Sequence, residues 1–519
     1  MSRKLTESIS QLSGCCITAA TFFAISGCGS TVQWSQQRDF HDAISQPGNG
    51  LIVNSQDSIG KAPNNGTSSR NPPTMNENSQ LGTIPGTAAG MNNTNGETYQ
   101  SATKASPIAG VGFTSNEIFI GYDYPKDAEE FAASLGFSAN FGNHVEQMEI
   151  VAKDINNRGG IAGRTVSLVP YGYETSELAS NPSGAAQRAC SRWTEDRPVF
   201  AAITITGFFG DQILSRCLAQ RRTPQIAQSL IVRPKTEYIR NHPYLYSPSW
   251  APNERISRSW ITRLNALGYF DGGWKTDRNS TVVAPTKIGL WSTRPAYGAE
   301  FRESVEREVA RHGLIVTEEA EWSGNASTAT QEAQSAILKF REAGVTHILT
   351  HIAGSTAIFM TTAESQGYRP RYAVQSNMNP ASLQNNVPRA QLRGAVGAGH
   401  MPSLDVDTEH SPKIVSDAET HCKNIMENGG QDTSNRDAWR LMASRCDAFE
   451  FLMKAVDRGG LSALGLSKGA AVISRMPSAS TFRISFSSNE ATGASAVRDL
   501  AFSENCGCFR YESDRNHGM

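Results

Sequence analysis

From Phe113 onward the sequence predicts an α/β protein with mostly parallel sheets, built as two successive blocks. Three observations carry this reading. Short apolar runs alternate with amphipathic helical periods along the whole region. The first such unit closes as strand, helix, glycine turn and strand. A second series with the same alternation starts at Thr286.

The opening strand is Glu117-Ile118-Phe119-Ile120-Gly121-Tyr122. In the helix that follows, Val145, Met148, Ala152 and Ile155 recur at three- and four-residue steps, with Glu146, Glu149, Lys153 and Asp154 mostly off that stripe. Asn156-Asn157 and Gly159-Gly160 stop it, because Asn and Gly tolerate the left-handed backbone a helix end needs. Val166 and Leu168 then alternate through the next strand, which completes a βαβ unit with a right-handed crossover. Pro198–Gly207 is a buried-type strand, residues 210–219 read as helix, and Pro224–Ser229 is a short strand running into a polar loop.

In the second block Thr286–Trp291 is a strand, and Tyr297-Gly298 opens the helix Glu300–His312. A strand begins at Leu314-Ile315-Val316. A helix over 328–343, a strand at Val345–His351, a helix over 356–366 and a strand at Arg371–Ser376 follow. A further helix, Trp439–Arg458, ends at Gly459-Gly460.

The chain begins differently. Arg3 and Lys4 precede an apolar run from Cys15 to Ile25, about the length of a secretory h-region and too short to span a bilayer. It ends in Ile25-Ser26-Gly27-Cys28, which resembles a bacterial lipobox with Cys28 as the lipidated residue. Ile at the first position and Glu7 in the charged region depart from the usual pattern. Residues 29–112 are rich in Asn, Gly, Ser, Thr and Pro and cannot bury enough surface to offset ordering, so they read as a flexible tether. The formal charge of the whole chain is −1, and loss of Arg3, Lys4 and Glu7 leaves −2. That balance excludes nucleic acid as an expected partner.

Beyond Cys28, six cysteines remain: Cys190, Cys217, Cys422, Cys446, Cys506 and Cys508. An even number in an exported chain reads as disulfides. We expect Cys190–Cys217 and Cys422–Cys446, each worth about 3 kcal/mol in the chain-entropy model. Cys506-Gly507-Cys508 is then a short strained bridge or a pair of thiols. No metal site is expected, since the spacings lack C-x2-C or a nearby His pair.

The run AKDINNRGGIAGRTVSLV over 152–169 resembles the signature near the start of type 1 periplasmic binding proteins. The most similar group is the branched-chain amino acid (Leu/Ile/Val-type) substrate-binding proteins of ABC transporters. The strand–Tyr-Gly–helix order of the second block is similar to the second lobe of that family. The resemblance implies two Rossmann-like lobes joined by three crossings. Lobe 1 would comprise 113–250 plus about 400–475, and lobe 2 would comprise 251–399 plus about 476–519. It implies ligand capture between facing strand ends, where open parallel sheets present loops and helix N-termini.

Candidate ligand-binding residues are therefore Tyr122, Asp123, Thr206, Gly207, Phe208, Gln228 and Ser229 in lobe 1, and Tyr297, His351, Ser355, Gln375 and Asn377 in lobe 2. The family reads a ligand carboxylate with hydroxyls and backbone N–H groups of lobe 1, and an ammonium with an acid of lobe 2. Here the stretch where that acid is expected, Gln375-Ser376-Asn377, is neutral. A buried ammonium without a carboxylate is costly, so amides and other less cationic solutes fit as well as amino acids.

Catalytic signatures such as G-x-S-x-G, H-E-x-x-H and G-x-x-x-x-G-K-[ST] are absent from the sequence, and neither an enzyme nor a cofactor is expected. The reading is a monomeric, lipid-anchored, extracytoplasmic solute-binding protein that serves an ABC permease in the membrane. The alternative is a sensing receptor subunit that uses the same cleft.

Overall fold

The computed structural model describes residues 110–519 apart from 131–139, 206–210, 229–241, 295, 324–327, 352 and 411–415. Cys28 and nearly all of the expected tether lie outside the described residues, as do Thr206, Gly207, Phe208 and Ser229.

Lobe 1 is a parallel sheet of β1 (Glu117–Pro125), β2 (Thr165–Tyr173), β3 (Ala201–Thr204), β4 (Gln225–Ala227) and β5 (Leu245–Tyr246), in the order β2-β1-β3-β4-β5. On one face lie α1 (His144–Asn157) and, from far along the chain, α9 (Arg436–Gly459) and α10 (Ala463–Ala471). Their shared core includes Ile118, Ile120, Met148, Ile155, Phe449, Leu452 and Leu466. The other face is covered by α2 (Pro182–Ser191) and α3 (Asp211–Gln220), around Trp193, Leu214 and Leu218. The buried stripe of α1 runs His144, Met148, Val151, Ala152 and Ile155, whereas Val145 is only half-buried, so the stripe starts one residue earlier than expected.

Lobe 2 repeats the plan. After α4 (Asn253–Ala266) come β6 (Ile288–Thr293), α5 (Ala296–Arg311), β7 (Val316–Trp322), α6 (Ala329–Ala343), β8 (His347–Leu349), α7 (Ala353–Ser365), β9 (Arg371–Gln375) and β10 (Val396–Gly399). Strands β7-β6-β8-β9-β10 are parallel. The sheet continues antiparallel through β11 (Ala496–Ser503) to β12 (Cys508–Tyr511), with β13 (His517–Gly518) also pairing β11. In both lobes the second strand lies outside the first and the third lies inside it. The strand order thus reverses at β1/β3 and at β6/β8, and such switch points leave a crevice beyond the carboxyl ends of the strands.

The chain passes between the lobes after Tyr246, after Val406 and after Glu490. The return to lobe 1 runs through α8 (Asp417–Asn428), whose Cys422 and Met426 join the lobe 1 core. The last crossing comes later than the expected boundary near residue 476. Ile473, Met476, Ile484 and Phe486 are apolar and complete the lobe 1 core before the chain leaves it.

The first and last crossings lie side by side. The Ser247 N–H donates to Ala491 O at 3.0 Å, Gly493 N–H to Ser247 O at 2.8 Å and Ala494 N–H to Trp250 O at 3.1 Å. Position 493 requires glycine, because a Cβ there would lie 2.3 Å from Pro248 O. Arg255 of α4 clamps the pair by donating to Thr492 O at 3.0 Å and Ala494 O at 2.7 Å. Nearby, buried Asp447 of α9 accepts from Ser478 Oγ at 2.6 Å and Ala479 N at 2.7 Å, and Ser480 Oγ passes the network to Ser249 of the first crossing at 2.8 Å.

All three cysteine pairs are bridged: Cys190–Cys217, Cys422–Cys446 and Cys506–Cys508. Of the two alternatives left open for the last pair, the structure has the bridge.

Candidate functional site

At the switch point of lobe 1, the pairing of β1 with β3 runs to Tyr122 and Ile203, and the Ile205 N–H beyond it needs another acceptor. Asp123 supplies one, with Oδ1 accepting from Ile205 N at 2.6 Å; its side chain is buried. Tyr122 belongs to the core between sheet and helices and stacks on Tyr124 at 5.9 Å. Burial pushes its hydroxyl up to about 12.

Beyond the end of β1, a cavity of about 450 Å³ is lined by Tyr124, Lys126, Glu130, Phe141, Asn143 and His144, among others. Its floor is the start of α1. Asn143 caps that helix, Oδ1 accepting from Val145 N at 3.0 Å and Glu146 N at 3.2 Å.

His144 lines the cavity, and Arg445 of α9 stands behind it with Nη2 at 2.5 Å from His144 Nδ1. A guanidinium has no acceptor to offer, so Nδ1 must accept and Nε2 must carry the ring proton. Burial, and then the Arg445 charge, push the imidazole down to about 3. His144 is therefore a neutral N–H donor at any physiological pH, and its Nε2 has no hydrogen-bond partner.

Arg445 is 1% exposed, and its Nε and Nη1 also lack partners. Burial lowers its pKa to about 9, with Tyr122 and Asp123 pulling it back up, so it stays cationic at neutral pH. A buried charge and three idle N–H donors are expensive. What the arrangement lacks is an acceptor.

The lobe 2 strand ends are built of neutral groups. Buried His351 follows β8 and stacks on Phe301 with centroids 3.9 Å apart and ring planes 13° apart; burial pushes it down to about 3. Ser355, in the first turns of α7, is buried and accepts from Trp291 Nε1 at 3.3 Å through its carbonyl. Buried Gln375 caps the turn after β9, Oε1 accepting from Asn377 N at 3.0 Å, and its Nε2 has no partner. Neither side-chain polar atom of Asn377 has a partner. Tyr297 lies in the first turn of α5, and its side chain is outside the described set.

Trp250 of the first crossing ties the two sets of strand ends together. Its Nε1 donates to Gln228 O, just past β4, at 3.1 Å, and its ring meets His400, just past β10, edge-on at 5.7 Å. Gln228 Nε2 has no partner. The α9 N-terminus reaches the same region, where Arg436 donates to Asn379 Oδ1 at 2.7 Å and Ser403 O at 3.1 Å.

Sequence reasoning placed Tyr122, Asp123, Gln228, His351, Ser355, Gln375 and Asn377 at strand ends; Gln228, His351, Gln375 and Asn377 lie there, whereas β1 runs on past Tyr122 and Asp123 to Pro125 and Ser355 is already in α7. It missed His144 and Arg445. A signal for Arg445 existed: Ala438, Met442, Arg445, Phe449, Leu452 and Val456 step by fours and threes along one buried face of α9. An arginine in that register is anomalous.

Two α/β lobes of one strand order, hinged by paired crossings, define the type 1 periplasmic-binding-protein fold. Solved structures bear this out. A substrate-binding protein of an ABC transporter from Desulfitobacterium hafniense, in complex with Leu, superposes with a TM-score of 0.54 at 16% identity, covering 76% of this chain and 100% of its own. A branched-chain amino acid ABC transporter protein from Thermus thermophilus with bound valine gives 0.55 at 15% identity, covering 78% and 97%. A solute-binding protein of an ABC transporter from Rhodopseudomonas palustris, in complex with p-hydroxybenzoic acid, gives 0.56 at 12% identity, also covering 78% and 97%. No family model matches the chain, and no curated protein matches it in sequence.

Proposed function

We propose that this chain is an extracytoplasmic solute-binding protein. It captures a small polar solute between its lobes and hands it to an ABC importer. The observation that carries the reading is a set of unpartnered buried donors in lobe 1. His144 Nε2, Arg445 Nε and Arg445 Nη1 are buried donors without partners; His144 lines the cavity beyond the end of β1, and Arg445 stands behind it. Such a constellation favours a carboxylate or another oxygen-rich group. Leucine, valine and p-hydroxybenzoate, the ligands of structural neighbours, each carry a carboxylate.

The neutral face formed by Gln375 and Asn377 supports a solute whose far end is an amide, a hydroxyl or an unpaired apolar group. No bond is made or broken. Closure follows from tighter binding to the closed arrangement. We place the working protein at the membrane surface as a monomer, anchored through lipidated Cys28 and the 29–112 tether.

Calorimetric titration of the purified chain with L-leucine, L-valine, 4-hydroxybenzoate and the corresponding primary amides tests the reading. Binding of at least one carboxylate, with its amide weaker by tenfold or more, is expected. Amides binding as tightly as their acids would remove Arg445 and His144 from the site. Globomycin-sensitive processing and labelling of Cys28 by radioactive palmitate would test the anchor.

A further inference from the structure

The hairpin between β11 and β12 brings Cys506 and Cys508 to the edge of lobe 2, and His410 comes to meet them from the other side. One ligand atom from each of these three residues lies within 4.8 Å of the others. We propose that Cys506, Cys508 and His410 form a redox-gated site for a thiophilic d10 metal ion, closed while the cysteines are bridged and opened by a dithiol reductant.

The surroundings are built to hold these groups. Gly507 takes φ +70°, and its N–H donates to Ser503 O at 2.9 Å, which turns the chain so that both cysteines face one side. Asp407 Oδ1 lies 2.5 Å from His410 Nδ1, which leaves Nε2 as the imidazole's ligand atom. The other carboxylate oxygen of Asp407 accepts from Gln384 Nε2 at 3.1 Å, and Gln384 Oε1 accepts from the N–H of Phe509 at 2.8 Å. Phe509 directly follows Cys508. One continuous network thus ties the histidine turn to the cysteine strand, and carboxylate-oriented histidines of this kind are the usual supports of metal ligands.

The bridge itself has little structural purpose. It joins residues only 2 apart, whereas the other two span 27 and 24, so it restrains almost nothing in the unfolded chain. The other two bridges pair buried Cys190 and Cys422 with half-buried Cys217 and Cys446, whereas Cys506 is open to solvent beside buried Cys508. Arg389 approaches Gly507, its Nη1 3.1 Å from where a Cβ would stand, and a nearby cation favours thiolates.

In the opening step one thiolate of an external dithiol attacks Cys506 Sγ, and Cys508 Sγ leaves as thiolate. The reductant's second thiol then displaces Cys506 Sγ, so two electrons pass to the protein and the reductant ends as its own disulfide. Two thiolates and an imidazole form a soft S2N set, which selects Zn(II) or Cu(I) over hard cations. Binding releases whatever protons the thiols still hold.

The test uses the full chain, titrated with Zn(II) against a chromophoric chelator and with Cu(I) against bicinchoninate, before and after brief dithiothreitol treatment. Differential alkylation and peptide mapping follow which thiols appear. The oxidised chain should bind neither ion. The reduced chain should take one equivalent, with Cys506 and Cys508 alkylated before the other four cysteines. His410→Ala should weaken binding at least tenfold, Asp407→Asn by about tenfold, and the Cys506→Ser/Cys508→Ser double variant should abolish it. A reduced chain that takes no more metal than the double variant overturns the site. Unchanged affinity in His410→Ala overturns the three-ligand assignment, and earlier alkylation of Cys190 or Cys422 overturns the gate.

Discussion

The two lobes share one strand order, yet their facing ends are opposite in character. Lobe 1 presents a buried cation and idle donors in Arg445 and His144, while lobe 2 presents neutral amides and histidines held uncharged by burial. A shared topology fixes where a ligand can sit, and the side chains on either side decide how the work is divided. Under the proposed function the grip on charge falls to lobe 1, and lobe 2 reads the remainder of the solute.

The sharpest way to break this contrast is to remove the cation. Arg445→Met should weaken binding of a carboxylate solute about 100-fold, the scale of a lost buried charge-assisted contact. Its melting temperature without ligand should stay level or rise, because a buried guanidinium with unpartnered Nε and Nη1 is replaced by apolar volume. Calorimetry and thermal melts check both halves. A variant that binds normally but melts early would make Arg445 a packing residue.

Acid should separate the lobes next. His347, His351 and His400 of lobe 2 are pushed down to about 4, 3 and 3 by burial, and His144 of lobe 1 to about 3. Unfolded imidazoles protonate near pH 6.5. This stabilisation is complete above that pH and is lost as pH falls toward the folded values.

Buried acids run the other way. Asp447 in lobe 1 is raised to about 6, and Asp405 in lobe 2 to about 7, both by burial. Their contribution is complete below the unfolded carboxylate pKa and lost as pH rises through the folded one. Glu306, raised to about 7 by its hydrogen bond with Glu319, adds a smaller offset in lobe 2 because it is partly exposed. Near pH 5 the lobe 1 terms cancel, and lobe 2 loses on the order of 2 kcal/mol per pH unit. Hydrogen exchange at pH 7.5 and 5 should show protection falling first in β8 to β10. Equal losses in β1 to β4 would contradict the assignment.

The smallest effect belongs to the neutral side. Asn377→Ala should weaken solute binding about fivefold, the scale of one or two neutral hydrogen bonds. A larger loss than that of Arg445→Met would reverse the division of labour.

Most of the fold was legible in the sequence because its signals are local. The stripe through Met148, Ala152 and Ile155, the Gly159-Gly160 stop and the strand of Val166 and Leu168 each declare themselves within a few residues. The lobe boundary near Ala494 was not legible, since nothing local distinguishes an apolar residue that completes one core from one that begins the next. The proposed site was legible where it depends on strand ends, as for Gln228 and Gln375. It was hidden where it depends on partners distant in sequence. His144 and Arg445 meet across 301 residues, and His410 meets Cys506 only because Gln384 and Asp407 hold two turns together.

The segment from Ile473 to Met519 closes both halves of the molecule, its first part filling the core under α9 and its last strands edging the second sheet. Each half waits for its own part of this segment, lobe 1 for the residues up to about Ala491 and lobe 2 for the strands after them. A truncation before Ile473 would leave both lobes unfinished, whereas one just after Ala494 would strip strands from lobe 2 alone.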